Sequence, residues 1–292
     1  MPPIDRMESM KKALKSALRA AVIVFLAAVF SALLVRYSPG AMVDERELNQ
    51  KLSENSLAAL RAERESRQNI GRNFVAYLRG LPKGDLGYSE SNSAPISALI
   101  RDRAPETLRE IVIGLTAAWL AGFAFAIPGV RLRNAFLYDA GSAAIAGLLL
   151  SIPVALIAYF AVATGAPVGI VMALVLAPRI FRFSRNFLRQ AYGALHIEIA
   201  RANGITETRI FTRHILPVLA PQFLALAAVS MTMAIGAAIP IETICDAPGL
   251  GRLAWQAALA RDLPLLVNIT MLIAVVTTAA MGLAEALTDS AA

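Results

Sequence analysis

An all-α, polytopic membrane protein with six transmembrane helices is the expected fold, and three observations carry it. Of 292 residues, 57% are hydrophobic and 17% charged, with a mean hydropathy of +0.58, well above what a soluble domain carries. The apolar residues gather into long uncharged runs at 20–35, 111–130, 140–178, 215–241 and 263–284. Basic residues collect on alternate connections between those runs, as in a chain threaded back and forth through a bilayer.

A transmembrane helix needs about 20 mostly apolar residues, so the run 140–178 is too long for one span. It breaks at the stretch ATGAPVG, where Gly165 and Pro167 punctuate a tight turn, and it reads as two helices. The first run follows Lys11, Lys12 and Lys15 and has two readings. One is a retained helix over 18–36, with Arg19 and Arg36 reaching the two interfaces; the other is a secretory signal peptide. Retention is expected, because no small-x-small cleavage site follows and five spans would leave the termini on opposite sides.

With six spans and the N-terminus inside, residues 1–17 form a cytoplasmic N-terminus and 37–106 a long extracytoplasmic loop after helix 1. Residues 107–286 form a five-helix core, and 287–292 a cytoplasmic tail. The core includes a cytoplasmic loop at 179–216, between helices 4 and 5, and an outer loop at 240–263. Seven arginines lie between Arg179 and His214, whereas the ATGAP turn is uncharged. The net charge of +7 is then the excess of cytoplasmic Lys and Arg, and no nucleic acid is needed to explain it. The implied location is the cytoplasmic (inner) membrane, with both termini inside and lipid around the spans.

In the long outer loop, Leu48, Leu52, Leu57 and Leu60 fall at near-helical spacing within 44–79 and suggest a solvated amphipathic helix. Gly84, Gly87 and Pro95 then mark turns, and Pro105 leads into the second span. In the last outer loop, Pro248, Gly249 and Gly251 form a turn. The stretch RLAWQAALAR after it puts Leu253, Ala257 and Ala260 on one face, long enough for a short helix but not a span. Trp255 is the expected interface anchor. Such a loop either lines an outer gate, since irregular backbone at that depth needs protein or water beside it, or packs as an interfacial helix.

One cysteine, Cys245, and two histidines, His196 and His214, build neither an internal disulfide nor a metal site of the usual ligand count. The stretch GLPKGDLG lacks phosphate-loop spacing, and no Ser/His/Asp arrangement can be assembled. No catalytic residue, cofactor or metal is expected. The apolar runs hold no Asp, Glu, Lys, Arg or His, so a proton- or ion-coupled transporter would lack its mid-membrane group. Work against a gradient would need energy from elsewhere.

The polar island EIARANGITETRIFTRHILP, residues 198–217, stands out against this background. As a helix it places Ile197, Ala200 and Gly204 on one narrow face of small side chains, where another surface could approach closely. Glu198 and Arg201 can pair at i, i+3. Gly204 is a natural helix stop, Thr206 a natural N-cap, and Glu207 suits the first turn of a second helix. Arg213 and His214 suit its end, and Pro217 marks the start of the fifth span. A solvated basic loop remains the plainer reading of the same residues.

This segment resembles the EAA loop of ATP-binding-cassette importer permeases: Glu198, Ala200, Gly204, Leu216 and Pro217 match in register, with Ile199 and His214 as departures. GDLGYSESNSAPISALIRDRAPETL and PIETICDAPGLGRLAWQAALARDLPLL are similar to outer segments of the dipeptide, oligopeptide and nickel permeases, in particular the first permease subunit of such systems. The resemblance implies that Ile197, Glu198, Ala200, Arg201 and Gly204 form a coupling helix docking on an ATPase subunit, with Pro248, Gly249, Gly251 and Trp255 at an outer gate. It implies a permease that is not itself an enzyme, paired with a second homologous permease as a heterodimer. One or two ATP-binding subunits and an extracytoplasmic substrate-binding protein would complete the importer. Peptides are the implied cargo, with nickel complexes or oligosaccharides as alternatives; a stand-alone channel or secondary transporter is the competing class.

Lys83 is expected to react with an impermeant amine reagent from outside, and a label at Arg201 to lie inside. Reversed accessibility in site-directed labelling would overturn this topology.

Overall fold

The computed structural model describes residues 22, 23, 25, 26, 30, 86–131 and 136–291. The stretch at 44–79, Lys83, Gly84 and most of the first span lie outside them; Val22, Ile23, Phe25, Leu26 and Phe30 are helical and exposed. A hairpin of β1 (Tyr88–Ser89) and β2 (Ala94–Pro95), antiparallel with Tyr88 opposite Pro95, precedes the helices. These are α1 (Ile96–Arg131), α2 (Phe136–Ser151), α3 (Val154–Thr164), α4 (Val168–Tyr192), α5 (Leu195–Ala202) and α6 (Glu207–Ile210). A π turn at Phe211–Ile215 follows, then α7 (Leu216–Ile244), α8 (Leu250–Leu259) and α9 (Leu263–Ala291).

Among the described residues, three stretches are long and apolar enough to cross a membrane: Ile96–Val130, Glu207–Ile244 and Leu263–Thr288. The pair α2–α3, bent by 93°, adds a fourth if it is one broken span. The expected second span starts earlier than its apolar run. α1 begins at Ile96, whose N–H donates to Gly87 O (3.1 Å), and continues through Pro105 and Pro128. Its 36 residues reach about 54 Å at ~1.5 Å each, well beyond a hydrocarbon core of ~30 Å.

The run 140–178 also differs from expectation. The Gly165 turn is present: at φ 67° it lets Ala166 N–H reach Ala161 O (3.0 Å) and Gly165 N–H reach Val162 O (3.3 Å), closing α3. A second break lies at Ile152 and Pro153, because Pro153 cannot donate into a continuing helix. Beyond the turn, α4 does not stop at Pro178 but runs on to Tyr192, carrying Arg179, Arg182, Arg185 and Arg189. Those arginines are why it is missing from the apolar spans.

The described residues form two compact units. The larger holds 103–131, 136–253 and 273–291. In it α4 packs chiefly on α7, with α2 and α3 beside them. One apolar core joins Ile111, Ala118, Met172, Leu176, Ile180, Ala234 and Ile241. Glycines let α1 meet α4 closely: a Cβ on Gly114 would lie 2.8 Å from Met172 Cβ, and one on Gly122 2.8 Å from Ile180 Cγ2. Trp119, Phe123, Phe187 and Phe223 form an aromatic cluster with ring centroids 5.1–6.3 Å apart.

Two buried carboxylates show how charge is held. In the larger unit, Asp139, in the first turn of α2, accepts Arg185 Nε at 2.8 Å and also pairs with Arg189. In the smaller unit, which contains 86–102 and 254–272, Asp262 accepts the Ser89 hydroxyl (2.6 Å), the Ser91 N–H (3.0 Å) and the Ser91 hydroxyl (2.8 Å) on one oxygen. Its other oxygen accepts Leu265 N–H (3.1 Å), an N-cap for α9. Asn268 donates to Leu86 O (2.9 Å), a second tie from α9 to the segment before the hairpin.

Asp139→Ala is expected to destabilise the chain by about 3 kcal/mol, because it strands the largely buried Arg185. Thermal unfolding of the detergent-purified protein measures this; an unchanged midpoint contradicts the role given to the pair.

Candidate docking site and outer loop

The segment from Gly193 to Ile215 is two short helices folded onto the bundle by apolar residues. Ile197 and Ile210 are 0% exposed, and Ala200 and Ile215 are also buried, packed in a cluster with Ala126, Phe181, Leu188, Tyr192 and Leu219. Of the small face expected to meet another protein, Ile197 and Ala200 are therefore turned inward as the attachment, while Gly204 is exposed. An isoleucine beside a packed apolar cluster gains more from burial than from display.

What the helix displays is its opposite side. Leu195 is 71% and Ile199 54% exposed, with Glu198, Arg201, Ala202 and Gly204 also outward. The turn after α5 is closed by Gly204 at φ 76°: its N–H donates to Arg201 O (2.9 Å), and Ile205 N–H to Ala200 O (3.1 Å). A Cβ at Gly204 would meet nothing within 4 Å, so the demand for glycine comes from the dihedral and not from crowding. Thr206 occupies the N-cap position of α6 without a side-chain cap bond, its backbone oxygen accepting Ile210 N–H (2.9 Å).

The expected Glu198–Arg201 pair is replaced by one across the turn. Arg201 Nε donates to Glu207 Oε1 at 2.6 Å, and the guanidinium lies 5.6 Å from the Tyr192 ring centroid. The bond to Glu207 raises the Arg201 pKa above its usual value. Both partners are nearly half exposed, so the pair stabilises by only about 0.5 kcal/mol and chiefly stiffens the turn. Nor does the second helix stop at Arg213 and His214. It passes through the π turn into α7, Pro217 lying in the first turn of that helix, where a missing N–H costs little.

The loop between α7 and α8 is organised by Glu242, fully buried at the end of α7. Its carboxylate accepts the Thr107 hydroxyl (2.7 Å), Gly251 N–H (2.7 Å) and Arg252 N–H (3.2 Å). Thr107 Oγ1 in turn accepts Leu250 N–H (2.7 Å). Three N–H groups of the first turn of α8 thus meet acceptors, a side-chain substitute for the missing helical partners. The glycines have separate reasons. A Cβ on Gly249 would overlap the Glu242 carboxylate, and one on Gly251 would lie 2.8 Å from Ala238 C and O. Pro248 and Trp255 remain exposed, Trp255 at 47%, while Leu253 and Ala257 are buried.

Sequence reasoning missed Glu242, Thr107 and Asp262. The available signal was weak: an acid directly after an apolar run and before a Pro-Gly turn, and an Asp before Leu263–Pro264 in N-cap position.

Residues 108–290 match the family described as "Binding-protein-dependent transport system inner membrane component". A putative peptide transport system permease protein of Brucella abortus (strain 2308) is 25% identical over 279 residues, covering 86% of this chain and 88% of that one. The oligopeptide transport system permease protein OppB of Escherichia coli (strain K12) is 25% identical over 299 residues, covering 90% and 92%. Among solved structures, a chain of the MetNI methionine ABC transporter in inward-facing conformations is similar in fold. Its TM-score is 0.56 at 21% identity, covering 66% of this chain and 96% of that one.

Gly249→Ala is expected to destabilise by about 2 kcal/mol through overlap with Glu242. Shortening the acid in a Glu242→Asp/Gly249→Ala pair should recover part of it, and additive losses in unfolding measurements refute the contact. Gly204→Ala should cost about 1 kcal/mol from its dihedral alone, measured the same way.

Proposed function

The chain belongs to the binding-protein-dependent transport inner membrane component family and is a permease component of an ABC importer; from that premise we propose that it forms half of a path for di- or oligopeptides. The peptide reading is supported by the names of its relatives, from Brucella and Escherichia coli alike, over most of the chain. ATP hydrolysis belongs to separate subunits, cargo arrives from an extracytoplasmic binding protein, and a second homologous permease completes the path.

The observation that carries the coupling mechanism is the division of α5 into a buried back and an exposed front. Leu195, Glu198, Ile199, Arg201 and Ala202, with Gly204 at the tip, form the proposed docking face for an ATPase subunit. Ile197 and Ala200 transmit from behind it into the cluster with Phe181 and Leu188 of α4 and Leu219 of α7. The chain from Glu207 through the π turn to Ile244 is continuous helix, so a push on α5 that passes through the apolar cluster it shares with Ile210 and Ile215 is carried along a full span. ATP-driven closure of the partner subunits would tilt α7 and α4 together, a rigid-body change of access.

Leu195→Asp with Ile199→Asp is expected to abolish co-purification of the ATPase subunits and ATP-dependent peptide uptake in reconstituted vesicles, while membrane insertion persists. Gly204→Arg should lose uptake by a factor far beyond its folding cost. Full uptake by either correctly inserted variant would falsify the docking assignment.

A further inference from the structure

The four arginines of α4 are not alike. Arg185 and Arg189 both pair with Asp139, which balances one of their two charges. Arg179 and Arg182, one turn apart on the exposed side of the helix, have no carboxylate within ion-pair distance among the described residues. The contact of Arg179 is a long one, from Nη1 to Met233 Sδ at 3.6 Å.

Three registers place Arg179 at depth. It lies about 16 Å along α4 from Val168, at ~1.5 Å per residue, in a hydrocarbon core of ~30 Å. Its neighbour Ile180 touches α1 at Gly122, near the middle of the apolar run 111–130. Met233, which the guanidinium reaches, is likewise about 16 Å from the Ile244 end of α7. With α4 as the expected fourth span, its uncharged part before Arg179 is too short to cross a bilayer, and this arginine falls inside. Arg179 lies just beyond the uncharged run 140–178 but within the same helix.

A guanidinium at that level does not face lipid tails, and snorkelling serves residues near helix ends. It needs water, a partner charge or an anionic ligand. We infer that the Arg179–Arg182 side of α4 lines the water-filled translocation path and that Arg179 receives the carboxylate of the cargo, with Arg182 a turn further toward the Tyr192 end. This rests on the peptide-importer reading above and adds a chemical preference to it: the path favours cargo with a free carboxylate. The planar fork of arginine suits that group and binds it through paired N–H donors.

The test uses the full complex of both permeases, ATPase subunits and binding protein in proteoliposomes. Arg179→Cys in a Cys245→Ala background is expected to react with a small cationic methanethiosulfonate, while Leu148→Cys, at an exposed apolar position of α2, stays protected. With trialanine and its C-terminal amide as probes, Arg179→Gln should lower trialanine uptake about tenfold, the effect of losing one charge-assisted hydrogen bond, and erase its preference over the amide. Arg179→Lys should keep part of that preference. Protection of the 179 thiol to the level of 148, or an unchanged preference in Arg179→Gln, overturns the inference. So does loss of the second permease from the Arg179→Gln complex, which would assign the arginine to an ion pair with that subunit. If the wild-type complex carries neither peptide, the peptide-cargo reading falls and takes the carboxylate assignment with it, and the thiol labelling alone decides whether the face is wet.

Discussion

A charge shut away from water must find its partners inside the chain, and that constraint arranges most of what surrounds the helices here. Glu242 is fully buried and holds together the end of α7, the start of α8 and Thr107 of α1. The glycines of the Pro-Gly-Leu-Gly turn follow from it, since Gly249 leaves room for the carboxylate and Gly251 for the backbone of α7. Asp139 does the same work between α2 and α4, and Asp262 between the hairpin and the first turn of α9. In each case a short acidic side chain stands where a helix begins or where arginines converge, so the buried charge is compensated on the spot.

The same logic separates the arginines of α4 into two kinds. Arg185 and Arg189 have their carboxylate, and their helix end is anchored by it. Arg179 and Arg182 share the helix but are left exposed, Arg179 beside a methionine sulfur. An importer has to keep some groups unsatisfied toward its path, because a side chain already paired has nothing to offer a passing ligand. The segment proposed to dock on an ATPase subunit shows the complementary arrangement: its apolar back is spent on attachment, and its front is left bare.

Local punctuation was readable in advance. Gly165 and Gly204 both end helices in left-handed conformation, and Thr206 stands at the start of α6, as their residue types suggest. The Pro248–Gly251 turn and the short helix after it were legible for the same reason. Charge was a poorer guide to helix ends. Arg179 was read as the end of a span and Arg213 as the end of a helix, yet both helices run on, since arginine is a good helix former and only its surroundings oppose it. Pro105 was taken for a boundary and sits inside α1, whereas Pro153 breaks a run that looked continuous. A proline costs one hydrogen bond, and packing decides whether the helix survives it.

The amino-acid order alone established a helical membrane chain, its polar island and the turns that delimit it, because hydropathy, glycine and capping chemistry act within a few residues. The inward turn of Ile197 and Ala200, the choice of Glu207 over Glu198 as partner of Arg201, and the uses of Glu242 and Asp262 came only from the assembled fold. Thr107 and Glu242 are 135 residues apart, and Ser89 and Asp262 173. No local spacing encodes such a meeting; it exists once helices have packed and each buried polar atom has taken the partner that packing brings within reach.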